Sequence, residues 1–244
     1  MQVKTFSVIL NDSYMLTPNV KHFIFKTLNN EPFNYQPGQF VTIHFERDGK
    51  IIRRSYSIAN VPEQNNLIEF AAGFVEGGPG TDFLFNLKVN DSINISGPYG
   101  RLILKEETPK RYIMVATSTG VTPYRAMINE FKKRLIANPN LKILILQGVQ
   151  KREDVLYNDE FLELTKSHPQ ISFSTHLSRE QDKDLASHEF IGYVQTAFSK
   201  LNLDPTGDSV YLCGNPGMID NAFAYLQENG FAMQQIIREK YISR

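Results

Sequence analysis

The sequence has 244 residues, 41% of them hydrophobic, enough to bury a sizeable core as one large domain or two ordinary ones. Its 26 Lys and Arg balance 26 Asp and Glu, so no global basic field points to nucleic acid. The first apolar run is too short for a signal peptide, and no segment approaches the roughly 20 apolar residues that cross a bilayer. The single cysteine, Cys213, allows no internal disulfide and no cysteine-rich zinc or iron–sulfur site. A soluble, cytoplasmic chain without metal, nucleic-acid partner or membrane insertion is expected.

Through residue 104 the pattern is that of short strands: VKHFIFK (20–26), QFVTIHF (39–45), IIRRSYSI (51–58), LIEFAAGF (67–74) and SINIS (92–96). Pro37-Gly38, Asp48-Gly49 and Gly97-Pro98 punctuate them, and one helical stretch, TDFLFNLK (81–88), interrupts them. That spacing predicts a small antiparallel barrel. After the polar hinge KEETPK (105–110) the period changes to strand–helix alternation. RYIMVA, KILILQGV, ISFSTHL, SVYLCG and QIIREKYI are its strands, separated by the helical stretches PYRAMINEFKKRL, EDVLYNDEFLEL, FIGYVQTAFSKL and MIDNAFAYLQENG. This predicts a parallel sheet with helices on both faces. Two domains are expected, residues 1–105 and 106–244.

Four stretches carry chemistry. RRSYSIAN (53–60) sets a cation, an aromatic and hydroxyls on a strand, where alternation sends Arg53 and Arg54 to opposite faces. Gly78-Pro79-Gly80-Thr81 opens a helix, and its glycines permit close backbone approach of a phosphate. ATSTGVTP (116–123) is the passage from the first α/β strand to its helix, where such folds bind ligands. Cys213-Gly214-Asn215-Pro216-Gly217-Met218 ends the SVYLCG strand and supplies no base to make a thiolate.

In this order the stretches resemble the ferredoxin–NADP(+) reductase superfamily, over nearly the whole chain. The resemblance implies an N-terminal FAD-binding antiparallel barrel followed by an NADP-binding α/β domain. It places Arg54 on the FAD pyrophosphate, Tyr56 against the flavin and Ser57 near the flavin N5, with Ser55 and Ile58 in the same run. Gly78, Gly80 and Thr81, followed by Leu84, match its phosphate helix. Thr119, Gly120, Pro123 and Arg125 match its nucleotide turn, although Thr117 and Ser118 stand where glycines are usual. Ser178 and Arg179 match the pair that grips a 2′-phosphate, which implies NADPH over NADH. Tyr193 and Gln195 fall beside the adenine end.

Cys213, Gly214, Asn215, Pro216 and Met218 match the motif beside the nicotinamide, with the cysteine in a packing role. Tyr241 in REKYISR (238–244) matches a terminal aromatic that covers the flavin and moves for nicotinamide. The implied activity is hydride transfer between NADPH and FAD, with electrons exchanged with a separate ferredoxin or flavodoxin. Alternatives are a flavin reductase or oxygenase reductase component, and a non-catalytic flavin- and nucleotide-binding subunit.

Overall fold

The computed structural model of the chain describes residues 5–62, 66–182 and 184–241. It divides into two compact units: one runs to Leu104 and adds Thr122–Ile128, and the other holds Lys105–Val121 and the chain from Asn129 on. No helix among the described residues is long and apolar enough to cross a membrane.

The first unit is built from strands β1 (Phe6–Thr17), β2 (Val20–Thr27), β3 (Phe40–Arg47), β4 (Lys50–Ser57), β5 (Leu67–Gly73) and β6 (Ser92–Tyr99), with helix α1 (Pro79–Phe85) between β5 and β6. The strands form an antiparallel sheet in the order β4-β3-β6-β1-β2-β5. The sheet curls until its end strands meet, where the Ala59 N–H donates to the Glu69 carbonyl at 2.7 Å. Phe23, Phe25, Ile43 and Phe70 fill the inside, all fully buried. Phe70 stacks against Phe25 at 5.4 Å and Tyr56 at 4.8 Å between ring centroids.

Strand β1 is not among the strands expected from the sequence. Its register against β2 shifts between Leu10 and Asp12 and again between Met15 and Thr17. Each shift interrupts the period of two on which a strand is recognised, and leaves only Val8, Leu10 and Thr17 buried in the element.

The second sheet is parallel, in the order β10-β9-β8-β7-β11-β12, with β7 (Arg111–Thr117), β8 (Lys142–Val149), β9 (Ile171–Leu177), β10 (Glu189–Ile191), β11 (Asp208–Gly214) and β12 (Ile236–Lys240). On one face Ile113, Val115, Val210 and Leu212 pack with Ile219 and Leu226 of α5 (Pro216–Glu228) and Phe198 of the 3-10 turns Val194–Lys200. On the other, Tyr112 meets Phe131 of α3 (Ile128–Ala137), and Phe173 stacks at 5.0 Å on Phe161 of α4 (Asn158–Ser167).

Three expected helices are altered. PYRAMINEFKKRL is two helices, α2 (Thr122–Ala126) and α3, joined at Met127, whose N–H bonds to Tyr124 O three residues back. EDVLYNDEFLEL opens within the 3-10 turn Arg152–Asp154 and becomes α-helical only at Asn158, after Tyr157 takes a left-handed conformation at φ 55°. FIGYVQTAFSKL gives β10 and 3-10 turns, divided at Gly192, whose φ of 120° no helix accepts. The last residues of the expected final strand and of the REKYISR ending, Ile242, Ser243 and Arg244, lie outside the described residues.

His176 on β9 is 6% exposed and stacks on Phe190. Burial, followed by the Lys200 charge, lowers its pKa from 6.5 to about 4. A histidine held neutral by the fold takes up its proton on unfolding. Its effect is therefore absent above pH 6.5 and destabilising as pH falls from there towards 4. His176→Gln should remove this slope, worth on the order of 3 kcal/mol over the full range. Denaturant unfolding of parent and variant at neutral and acid pH checks it: equal slopes would refute it.

Candidate functional site

The first cluster lies on β4. Its register with β3 sets Ile52 opposite Phe45, Arg54 opposite Ile43 and Tyr56 opposite Val41. Phe45, Ile43 and Val41 are core residues, so Ile52, Arg54 and Tyr56 share the inner face. Arg53 and Ser55 take the outer face opposite His44 and Thr42, and the Ser55 and Thr42 hydroxyls are 2.9 Å apart. Burial and then the Arg53 charge lower the His44 pKa. The two adjacent arginines thus serve different faces, and Ser55 lies away from Arg54.

Helix α1 covers Arg54 and Tyr56. A Cβ on Gly80 would stand 2.8 Å from Arg54 Cγ and 3.1 Å from the Tyr56 hydroxyl, so glycine lets the helix start this close without displacing either side chain. Burial raises the Tyr56 pKa to about 12, against the opposing pull of Arg54, which keeps the phenol a neutral donor. Arg54 Nη1 donates to the Arg53 carbonyl at 2.7 Å. The Thr81 hydroxyl lies 2.9 Å from Val75 O and 3.1 Å from Gly78 O, and so shapes the turn that leads into α1. Ser57 ends the strand and Ile58 follows it, both buried. A guanidinium, a neutral phenol and a glycine-opened helix start in one place fit a pyrophosphate carrying an aromatic group.

The second cluster forms where β7 and β11 end side by side, with Cys213 opposite Ala116. The 3-10 turn Ser118–Val121 follows β7, and Asn215 follows β11. Thr117 Oγ1 accepts the Asn215 N–H at 2.7 Å. A Cβ on Gly120 would stand 2.3 Å from Cys213 O, and one on Gly214, at φ 122°, would stand 2.3 Å from Thr117 Oγ1. The hydroxyl that replaces an expected glycine therefore ties the two turns together. Ser118, exposed, has a left-handed φ of 47°.

Asn215 caps α5 by accepting from the Gly217 and Met218 N–H groups at 2.8 and 3.2 Å, with Pro216 opening the helix. The Tyr241 N–H donates to Gly214 O at 2.8 Å. Burial, then the Glu239 charge, raises the Cys213 thiol well above its ordinary pKa, while the Tyr241 hydroxyl lowers it. Burial thus favours the neutral thiol over the thiolate.

At the β9 edge, Ser178 and Arg179 continue the pairing with the chain after β8. Ser178 N–H bonds to Val149 O at 3.0 Å and Arg179 N–H to Gln150 O at 2.8 Å. The Arg179 side chain is exposed. The guanidinium of nearby Arg152 meets both Glu189 oxygens at 2.7 and 2.8 Å and Asp182 at 2.9 Å. Tyr193 is exposed and Gln195 half-buried, both at the start of the Val194–Lys200 turns.

Pro123 is buried in α2, which belongs to the first unit, and Arg125 of the same helix donates from Nη1 to Glu69 at 2.9 Å and to Ala59 O at 3.1 Å. The residues that hold it, Glu69 with His22, were not singled out in the sequence. The available signal was one acid inside the otherwise apolar strand LIEFAAGF, where a buried carboxylate requires a partner.

A closed antiparallel barrel with a cation under a helix start, followed by a parallel sheet with two abutting turns, defines the class of two-domain flavin- and nicotinamide-nucleotide-binding proteins. Residues 7–103 match the oxidoreductase FAD-binding domain and residues 114–223 the oxidoreductase NAD-binding domain. The reductase component DmpP of phenol 2-monooxygenase from Pseudomonas sp. strain CF600 is 32% identical over 93% of this chain, which spans 62% of that relative's length. Ferredoxin–NADP reductase B of Sorangium cellulosum is 29% identical, with 90% of each chain covered. The crystal structure of a Neisseria gonorrhoeae ferredoxin NADP+ reductase with bound FAD and NADP shares the fold, with a TM-score of 0.84, 20% identity and coverage of 98% of this chain and 99% of that one. The chain belongs to the ferredoxin reductase-like flavoprotein superfamily.

Proposed function

We propose that the protein is an oxidoreductase that passes hydride between NADPH and FAD and exchanges electrons with a separate ferredoxin or flavodoxin. The observation that carries this is the Arg54, Tyr56 and Gly80 cradle in an FAD-binding domain whose chain continues into an NAD-binding domain. Bound FAD would supply hydride acceptance from nicotinamide and the release of electrons one at a time. Arg54 neutralises its pyrophosphate, the backbone of Gly78, Gly80 and Thr81 closes on a phosphate, Tyr56 fixes the ring and Ser57 offers a hydroxyl to a ring nitrogen. Thr119 and Gly120 receive the NADP pyrophosphate, with Tyr193 and Gln195 towards the adenine. Gly214, Asn215, Pro216 and Met218 shape the nicotinamide end beside Cys213. The identity with the phenol 2-monooxygenase component supports a second acceptor, an oxygenase partner.

The test is direct. Purified protein should be yellow, release FAD and not FMN, bleach with NADPH under anaerobic conditions and recolour with ferredoxin or flavodoxin. Colourless protein that turns over only with added flavin would replace this reading with a flavin reductase. Protein that never bleaches would replace it with a binding subunit.

Arg179 selects NADPH in this reading, because only that cofactor carries the 2′-phosphate. Arg179→Ala should lose roughly ten- to hundredfold in kcat/KM with NADPH, the equivalent of about 1.5–3 kcal/mol for a charge-assisted contact, and little with NADH. Equal losses with both would assign Arg179 a structural role.

Tyr241 is the ring that leaves its place beside Cys213 as nicotinamide binds. Tyr241→Ser should tighten NADP binding and strengthen the nicotinamide–flavin difference band, whereas Tyr241→Phe should match the parent because stacking needs the ring. An unchanged band in Tyr241→Ser would remove this role.

A further inference from the structure

Three ionisable side chains from three elements meet inside the first unit, apart from the flavin cradle. His22 on β2 is wholly buried, and its Nε2 lies 3.1 Å from Glu69 Oε2 on β5. The same oxygen accepts from Arg125 Nη1 of α2 at 2.9 Å, with Arg125 19% and Glu69 9% exposed. Arg125 Nη1 also reaches the Ala59 carbonyl at 3.1 Å. Around them, the Asn60 side chain donates to Leu67 O at 3.0 Å and accepts the Glu69 N–H at 2.9 Å, and the Tyr35 hydroxyl donates to Asn60 O at 2.6 Å.

These contacts sit at one place in the barrel. Strands β4 and β5 are the two ends of the sheet order, so no ladder joins them as it joins the other neighbours. Residues 58–60 leave β4 and are held to β5 by the Ala59 N–H, the Asn60 amide and Arg125. A buried carboxylate between a histidine and a guanidinium keeps its charge only while both partners stay. Burial alone would raise the Glu69 pKa, but the His22 hydrogen bond and the Arg125 charge and hydrogen bond leave it below the ordinary range.

We propose that Arg125, Glu69 and His22 form a clamp across the barrel seam that fixes the carboxyl end of the flavin strand, Ser57 to Asn60. Arg125 is then a positioning residue for the flavin and not a nucleotide ligand. The functional sense of the clamp rests on the flavin reading above; its existence does not.

The experiment is a double-mutant cycle of Glu69→Gln and Arg125→Met in the full chain. Each single variant should retain FAD about tenfold less well and shift the flavin visible circular dichroism, and the double should be no worse than the worse single. Arg125→Lys should recover part of the loss, and KM for NADPH should stay within about twofold of the parent. The clamp is overturned if the two losses add. It is also overturned if Arg125→Met raises KM for NADPH with the flavin signal unchanged, the mark of a nucleotide ligand. Should Glu69→Gln not fold, His22→Gln completes the same cycle. A parent that carries no FAD would sink the functional reading alone. The cycle is then read in unfolding of the flavin-free protein, where coupling upholds the clamp and additivity overturns it.

Discussion

Arg54→Ala is expected to purify without its flavin. The side chain occupies the inner face of β4 opposite buried Ile43, where strand alternation would otherwise place an apolar residue, and its stem lies under the start of α1. Removing the charged partner of a desolvated phosphate costs on the order of 2–5 kcal/mol, a loss of flavin affinity large enough to survive no purification column. Arg53→Ala is the control, because its side chain leaves the opposite face towards His44. Gly80→Ala should give a milder version of the same defect, since the added methyl meets the Arg54 stem at 2.8 Å and a flexible stem can yield. Flavin-to-protein ratio after gel filtration decides the matter. Full FAD in Arg54→Ala, with loss in Arg53→Ala, would move the phosphate to the other arginine.

Gly120→Ala should be the most damaging small substitution in the second unit. The new methyl would lie 2.3 Å from Cys213 O, 2.7 Å from Cys213 C and 3.0 Å from Gly214 N. All three are backbone atoms at the end of a buried strand, so no side chain can rotate away. Overpacking of this kind costs typically 1–3 kcal/mol and more when the neighbour cannot yield, and here about 3 kcal/mol or above is expected. The midpoint of thermal unfolding should fall by roughly 6–12 °C. NADP binding should fall with it, because the displaced turn carries Gly214 and Asn215. Gly73→Ala, whose methyl would find its nearest neighbour at 3.9 Å, should stay near the parent. Parent-like unfolding of Gly120→Ala would mean that the two turns lie further apart than described.

Much of the architecture is legible in the sequence. The change of period near residue 105, the turn residues between the early strands and the order of the four motifs together specify a barrel followed by a parallel sheet. Alternation alone separates Arg53 from Arg54, because successive side chains on a strand must leave opposite faces. What local pattern cannot supply is any contact made at long range. Strand β1 is hidden because its bulges break the period, and the helix joint at Met127 is unmarked by glycine or proline.

The side-chain roles divide in the same way. That Thr117 and Ser118 replace glycines is visible from the residues, but that the Thr117 hydroxyl holds the Asn215 N–H depends on β11 lying beside β7 in one register. Gly120 looks like part of a phosphate turn by its neighbours in sequence, and only the proximity of Cys213 makes a side chain there impossible. Arg125 shows the limit most clearly. Its place after Thr-Pro-Tyr suggests a nucleotide ligand, while its partners Glu69 and Ala59 lie 56 and 66 positions away. Sequence by itself determined most of the strands, the change from barrel to parallel sheet and the faces that Arg53 and Arg54 take, because those follow from local sterics and periodicity. Only the tertiary structure decided which buried charges meet, because a carboxylate inside a core is satisfied by whatever the fold brings to it.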